Sequence, residues 1–282
     1  MSSLQELNLW SNKFTGNLTK DVGNLTTLTV LAISENYMTG FIPTEIGQLN
    51  RLKSIISEDN NLSGSIPHDL FNISTLEALS FAGNALSGVL PTTLCKDEAL
   101  PILEYLFLCQ NSIFGPIPNS ISNCSHLRIL ALYGNKLSGF IPTDLGNLRL
   151  LQRLELFSNN LSSNLDFITS LSNCRSLNRL ALSNNPLYGA IPPSIGNLSS
   201  SLQQIYAAGC KLNGAIPVQI ANLTSLMTLD LHDNGLSGNI PLSIKHLHNL
   251  QLLNLGANML QGPFPEAICY LYNLNGIAIR QN

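Results

Sequence analysis

LRILALYGNKLSGFIPTDLGNLRL, running from Leu127 to Leu150, decides the fold. In its first half Leu130 and Leu132 alternate with Ala131 and Tyr133, the period of a strand with one buried face. Asn135 follows where the chain must turn, and its side-chain amide can both donate to and accept from backbone groups buried at that turn. In the second half Gly139 permits a tight bend, and Pro142 fixes φ while removing a donor, which suits a short edge-like strand or extended turn. Leu145 and Leu148 then supply apolar knobs for a short 3₁₀ or helical turn.

Outward from this stretch the same pattern recurs along the chain, with units starting at Leu4, Leu28, Leu52, Leu76, Leu103, Leu127, Leu151, Leu177, Leu202, Leu226, Leu250 and Leu274. Their spacings are 24, 24, 24, 27, 24, 24, 26, 25, 24, 24 and 24, so eleven full units and one partial unit cover the chain from Leu4 to Asn282. Self-similarity at this period is the signature of a repeat architecture, in which each unit buries its apolar face against its neighbours. The expected fold is an α/β repeat solenoid: a single domain over residues 1–282, one long parallel sheet, and short 3₁₀ or helical turns opposite it. With strands about 4.8 Å apart, the twelve strands make a sheet roughly 50 Å long. The ninth position carries the ladder Asn12, Asn36, Asn60, Asn84, Asn111, Asn135, Asn159, Asn185, Asn234 and Asn258, with Cys210 standing in the ninth unit. The segment TLCKDEALPI is a repeat turn stretched by three residues rather than a loop built for chemistry.

The unit LxxLxLxxNxLxGxIPxxLGNLxx resembles the plant-specific class of leucine-rich repeats found in the ectodomains of receptor-like kinases and receptor-like proteins. The resemblance spans nearly the whole chain and implies a right-handed superhelix with a concave sheet. The seventh unit, LQRLELFSNNLSSNLDFITSLSNCRS, loses Gly-x-Ile-Pro and gains LDFITSLSNC, a variant similar to the immune-receptor subfamily of the flagellin and elongation-factor sensors. The resemblance implies non-catalytic recognition of a peptide or protein, in pathogen or peptide-signal perception, at the extracellular face of the plasma membrane. It also allows a leucine-rich repeat co-receptor kinase as partner and a Ser/Thr kinase domain elsewhere in a parent receptor. A different class, the secreted polygalacturonase-inhibiting proteins, shares this repeat and stands as the alternative.

Composition excludes other readings. At 44% apolar residues the chain can bury a large core, and 14 Lys+Arg against 17 Asp+Glu leave a net charge of -3 with no basic run to follow a phosphate backbone. Nucleic acid is not an expected partner. No Gly-rich phosphate loop, kinase signature or GxSxG nucleophile motif occurs, so neither catalysis nor a cofactor is expected. His246 and His248 lack companion ligands in sequence and read as a solvated turn rather than a metal site. The N-terminus has no signal-peptide pattern and no apolar run reaches the length of a membrane span, so this segment itself is expected to make no membrane contact. The cysteine pairs that cap such solenoids are not found, which reads as an uncapped fragment or truncated product that would self-associate through its open ends.

Six cysteines are present, and none shares a repeat position with one in an adjacent unit, so a disulfide is not expected. Cys124 and Cys174 take the leucine place of GNL as buried fillers, Cys95 and Cys269 the glycine place, and Cys109 is expected to face out from its strand. Asn-x-Ser/Thr occurs at Asn17, Asn24, Asn61, Asn72, Asn123, Asn160, Asn197 and Asn222; glycans are expected at Asn24, Asn72, Asn197 and Asn222, on the side away from the sheet.

The outward strand positions are the third, fifth and seventh of each unit. Read along the repeats they give Tyr105, Phe107, Tyr133, Arg153, Glu155, Phe157, Arg179, Tyr206, Asp230 and His232. Aromatics interleaved with arginine on an exposed sheet are typical of binding hot spots, and these ten residues form the expected ligand-binding strip.

Overall fold

The structure, a computed structural model, describes residues 3–96 and 99–282. They fall into two compact units, Met1–Ser138 and Gly139–Asn282. In the first, strands Glu6–Asn8, Val30–Ala32, Ser54–Ile56, Ala78–Ser80, Tyr105–Phe107 and Ile129–Ala131 pair in that order, all parallel. The register puts Leu31, Ile55, Leu79, Leu106 and Leu130 on one rung, each 0% exposed. In the second unit Arg153–Glu155, Arg179–Ala181, Gln204–Tyr206, Thr228–Asp230, Leu252–Asn254 and Gly276–Ala278 do the same, burying Leu154, Leu180, Ile205, Leu229 and Leu253. Each unit is thus a parallel repeat solenoid whose central strand residue is the core.

Away from the sheet each repeat closes on a short turn. The first unit has 3₁₀ turns Lys20–Asn24, Thr44–Gln48, His68–Asn72 and Asn119–Asn123; the second has Leu145–Asn147, Pro193–Asn197, Val218–Asn222, Leu242–His246 and Glu266–Tyr270. In the seventh repeat the LDFITSL segment instead forms an α-helix, Phe167–Leu171, that buries Phe167, Ile168 and Leu171. Leu165, just ahead of the helix, takes the isoleucine place of the other repeats and is 4% exposed. The residues that lead into Gly-x-Ile-Pro form short parallel strands of their own, among them Tyr37–Phe41, Asn61–Ser65 and Ala85–Ser87, with Thr15–Asn17 at the matching place of the first repeat.

Two backbone features recur with the repeat. First, asparagines of the ladder tie two repeats: Asn36 Oδ1 accepts Phe14 N–H at 2.9 Å while its Nδ2 donates to the carbonyls of Leu9, Ile33 and Ser34. The same pattern holds at Asn84, Asn111, Asn185, Asn234 and at Asn282. Second, the residue just before the ladder position is left-handed, as at Glu35 (φ 52°), Asp59 (φ 50°), Ser158 (φ 55°) and Ala257 (φ 51°).

The cysteine expectations need correction. Cys95 and Cys124 form a disulfide, with Cα atoms 5.2 Å apart. At the glycine place that Cys95 occupies, a regular turn can lie close against the next repeat: a Cβ on Gly23 would lie 2.6 Å from the Glu45 carbonyl oxygen. The stretched fourth repeat leaves that geometry, with Cys95 at φ 57° and the buried Leu100 at φ 50°, and the altered turn brings Cys95 to the leucine place of the next repeat. Cys109 is 3% exposed rather than outward, because the strand proper ends at Phe107 and a small seventh residue is covered by its neighbours. Cys174 is a buried filler as expected, its Sγ 3.7 Å from the Leu145 carbonyl oxygen.

Candidate ligand-binding face

The ten strip residues belong partly to each unit. In the first, Tyr105 and Phe107 stand half-buried opposite Ile129 and Ala131 on the neighbouring strand, and Tyr133 is half-buried two residues beyond that strand. Beside them Arg128 Nε donates to Glu104 Oε2 at 2.8 Å, linking adjacent repeats at the edge of the same face.

In the second unit Arg153, Glu155, Arg179 and Tyr206 form a charged network, and Asp230 pairs separately with His232. Arg153 and Arg179 share one rung and Glu155, Ala181, Tyr206 and Asp230 the next. Glu155 Oε1 accepts from Arg153 Nη2 at 2.7 Å and from its Nε at 3.1 Å, and lies 2.9 Å from Arg179 Nε. That last contact is an ion pair but is not aligned as a hydrogen bond, leaving the buried Nε–H of Arg179 without a hydrogen-bond acceptor. Arg179 instead donates from Nη1 to Gln204 Oε1 at 2.5 Å and lays its guanidinium 4.9 Å from the Tyr206 ring centroid. Farther along, His232 Nδ1 is 2.7 Å from Asp230 Oδ1, and Asn254 Nδ2 approaches the same ring nitrogen at 3.1 Å.

The network differs from the sequence reading at one residue. Glu155, expected to stand out from the sheet, is 3% exposed because the two arginines close over it. One carboxylate against two guanidiniums leaves the group at net +1, with Arg153 and Arg179 still 42% and 30% exposed at their side chains. Such a buried carboxylate holds the guanidiniums at fixed places, which reduces the ordering cost of binding an anion. Phe157 stands half-exposed beside this group in sequence register.

The sequons at Asn24, Asn72, Asn197 and Asn222 end 3₁₀ turns and are exposed, as are Asn17, Asn61, Asn123 and Asn160. His246 and His248 are exposed. Among the described residues no helix is long and apolar enough to cross a membrane.

Leucine-rich repeat models match residues 101–161 and residues 3–25, 176–198, 225–247 and 249–271. No curated protein matches the sequence. Among solved structures, the plant peptide hormone receptor RGFR1 in complex with RGF2 is 35% identical, with a TM-score of 0.92 over 98% of this chain and 45% of that one. The ectodomain of the receptor kinase GASSHO1/SCHENGEN3 from Arabidopsis thaliana, in complex with CASPARIAN STRIP INTEGRITY FACTOR 2, is 33% identical, with a TM-score of 0.89 over 96% and 32%. The Arabidopsis receptor kinase HAESA, in complex with the peptide hormone IDA and the co-receptor SERK1, is 28% identical, with a TM-score of 0.82 over 100% and 50%. The chain therefore spans half or less of the length of each of these receptors.

Proposed function

Because this chain is a leucine-rich repeat protein whose fold is that of plant receptor-kinase ectodomains, we propose that it recognises an extended peptide on the outward face of its sheet and performs no catalysis itself. The observation that carries this reading is the Arg153–Glu155–Arg179 group with Gln204 and Tyr206: two guanidiniums, prepositioned and partly open, beside aromatic area. Guanidiniums held in this way suit a carboxylate, from an acidic side chain or a peptide C-terminus. Three similar receptors hold peptide or protein signals, and one also holds a co-receptor; both kinds of partner are carried here as part of the proposal. The extracellular side of a membrane is the proposed location, in keeping with the Cys95–Cys124 disulfide, and glycans are proposed at Asn24, Asn72, Asn197 and Asn222.

Within the wider group we assign the chain to the immune-receptor branch. The support is the seventh repeat, which lacks Gly-x-Ile-Pro and carries the Phe167–Leu171 helix.

The test is panning of the purified chain against a displayed library of short random peptides, followed by titration of retained peptides on Phe157→Ala and Arg179→Ala. Affinity lowered about tenfold or more by either change, with circular dichroism intact, is the expected result. Unchanged affinity for both variants removes the strip from the site.

A further inference from the structure

The outward face of the first unit holds a cavity of about 380 Å³ that the strip does not use. Its floor is apolar: Val30 lies opposite Glu6, and Ala32 sits between Asn8 and Ile56 on consecutive strands. One wall is Trp10, the single tryptophan of the chain, left 60% exposed. Glu6, Glu35, Glu58 and Asp59 complete the lining, and no lysine, arginine or histidine contributes to it. Among the described residues these four carboxylates make no ion pair.

The walls are braced. The backbone N–H of Trp10 donates to Asn8 Oδ1 at 3.1 Å, that of Glu58 to Ser34 Oγ at 2.9 Å, and Ser80 Oγ donates to Glu58 Oε1 at 2.5 Å. Among the described residues no three carboxylate, histidine or cysteine side chains converge closely enough to hold a metal ion. The carboxylates therefore surround a volume rather than a point, which fits a cation with an organic body.

An apolar floor, an exposed indole and unpaired carboxylates meet the needs of an alkyl stem that ends in a delocalised charge. The stem covers Val30, Ala32 and Ile56, the flat cation stacks on the indole, and the carboxylates accept its N–H groups. A guanidinium matches this better than an ammonium, because it is planar, weakly hydrated and can pair in a bidentate way. We propose that this cavity is a subsite for an arginine side chain of a peptide ligand. Its natural occupant rests on the peptide reading above, whereas its chemical preference does not.

Trp10 supplies a local signal, since no other tryptophan contributes. The probe is the synthetic peptide acetyl-Gly-Arg-Gly-Arg-Gly-amide, titrated against the intact chain while indole emission is followed, with the citrulline analogue as the neutral control. A saturable emission change with the arginine peptide is expected, weakened about tenfold or more by Glu6→Gln combined with Glu58→Gln and reduced by added salt. Equal response to the citrulline peptide, no saturable response at millimolar concentration, or indifference to the Glu→Gln changes would each overturn the subsite. Arg179→Ala should leave this titration unaltered. A chain that still binds panned peptides through Phe157 and Arg179 but gives no arginine-dependent signal loses the subsite alone, so the two proposals fail separately.

Discussion

Asn185 Oδ1 accepts the backbone N–H of Leu161, 24 residues earlier, at 3.0 Å, and its Nδ2 returns a bond to the carbonyl of Leu156 at 2.9 Å. The residue is 2% exposed, so these bonds face no competition from water. Repeats are therefore joined by side-chain amides as well as by the sheet.

Removing that amide strands buried groups on both repeats. Asn185→Ala should cost about 2–4 kcal/mol in guanidinium unfolding. At the next ladder position Cys210 Sγ makes long contacts, 3.8 Å to the Leu182 carbonyl and 3.5 Å to that of Ala208. Cys210→Asn restores the stronger donor and acceptor and should raise stability by about 1 kcal/mol; a loss would show that the pocket has adapted to sulfur.

The Cys95–Cys124 bridge links residues 29 apart in sequence. By restricting the unfolded chain, a loop of this size contributes about 3.5 kcal/mol. Reduction, or the Cys95→Ser, Cys124→Ser double change, should lower the denaturation midpoint accordingly, and an unchanged midpoint would mean that the stretched turn is held without the bridge.

Burial pushes the thiols of Cys174 and Cys210 from 9.0 up to about 11. The folded chain keeps protons that the unfolded chain releases, so this contribution is intact below pH 9 and is lost as pH rises from there through about 11. Unfolding followed against pH should therefore show a steeper alkaline fall in the parent chain than in Cys174→Ala combined with Cys210→Asn. In native protein at pH 8 a thiol reagent should label Cys269, which is exposed, and spare the other two.

Ala257 holds a left-handed φ of 51° with no polar side chain to compensate. Replacing it with glycine relieves the Cβ clash and should stabilise the chain by about 1 kcal/mol, less the added freedom of the unfolded state. Thermal unfolding checks the sign.

The register of the repeats, the parallel strands, the asparagine ladder and the turns opposite the sheet were all legible in the amino-acid order. The reason is that each depends on spacing within a repeat: alternation of two sets the buried face at Leu130 and Leu132, and one amide per turn meets the same backbone groups every time. Tertiary structure alone decided what happens between side chains that come from different repeats. The pairing of Cys95 with Cys124 depended on how three extra residues re-route a turn. The burial of Glu155 depended on two arginines, one of them a strand away, closing over it. The gathering of Trp10, Glu6, Glu35, Glu58 and Asp59 around one cavity depended on three strands lying side by side. Sequence periodicity states which face a residue occupies; what covers it is set by neighbours about 24 positions away, whose size and charge the repeat leaves free.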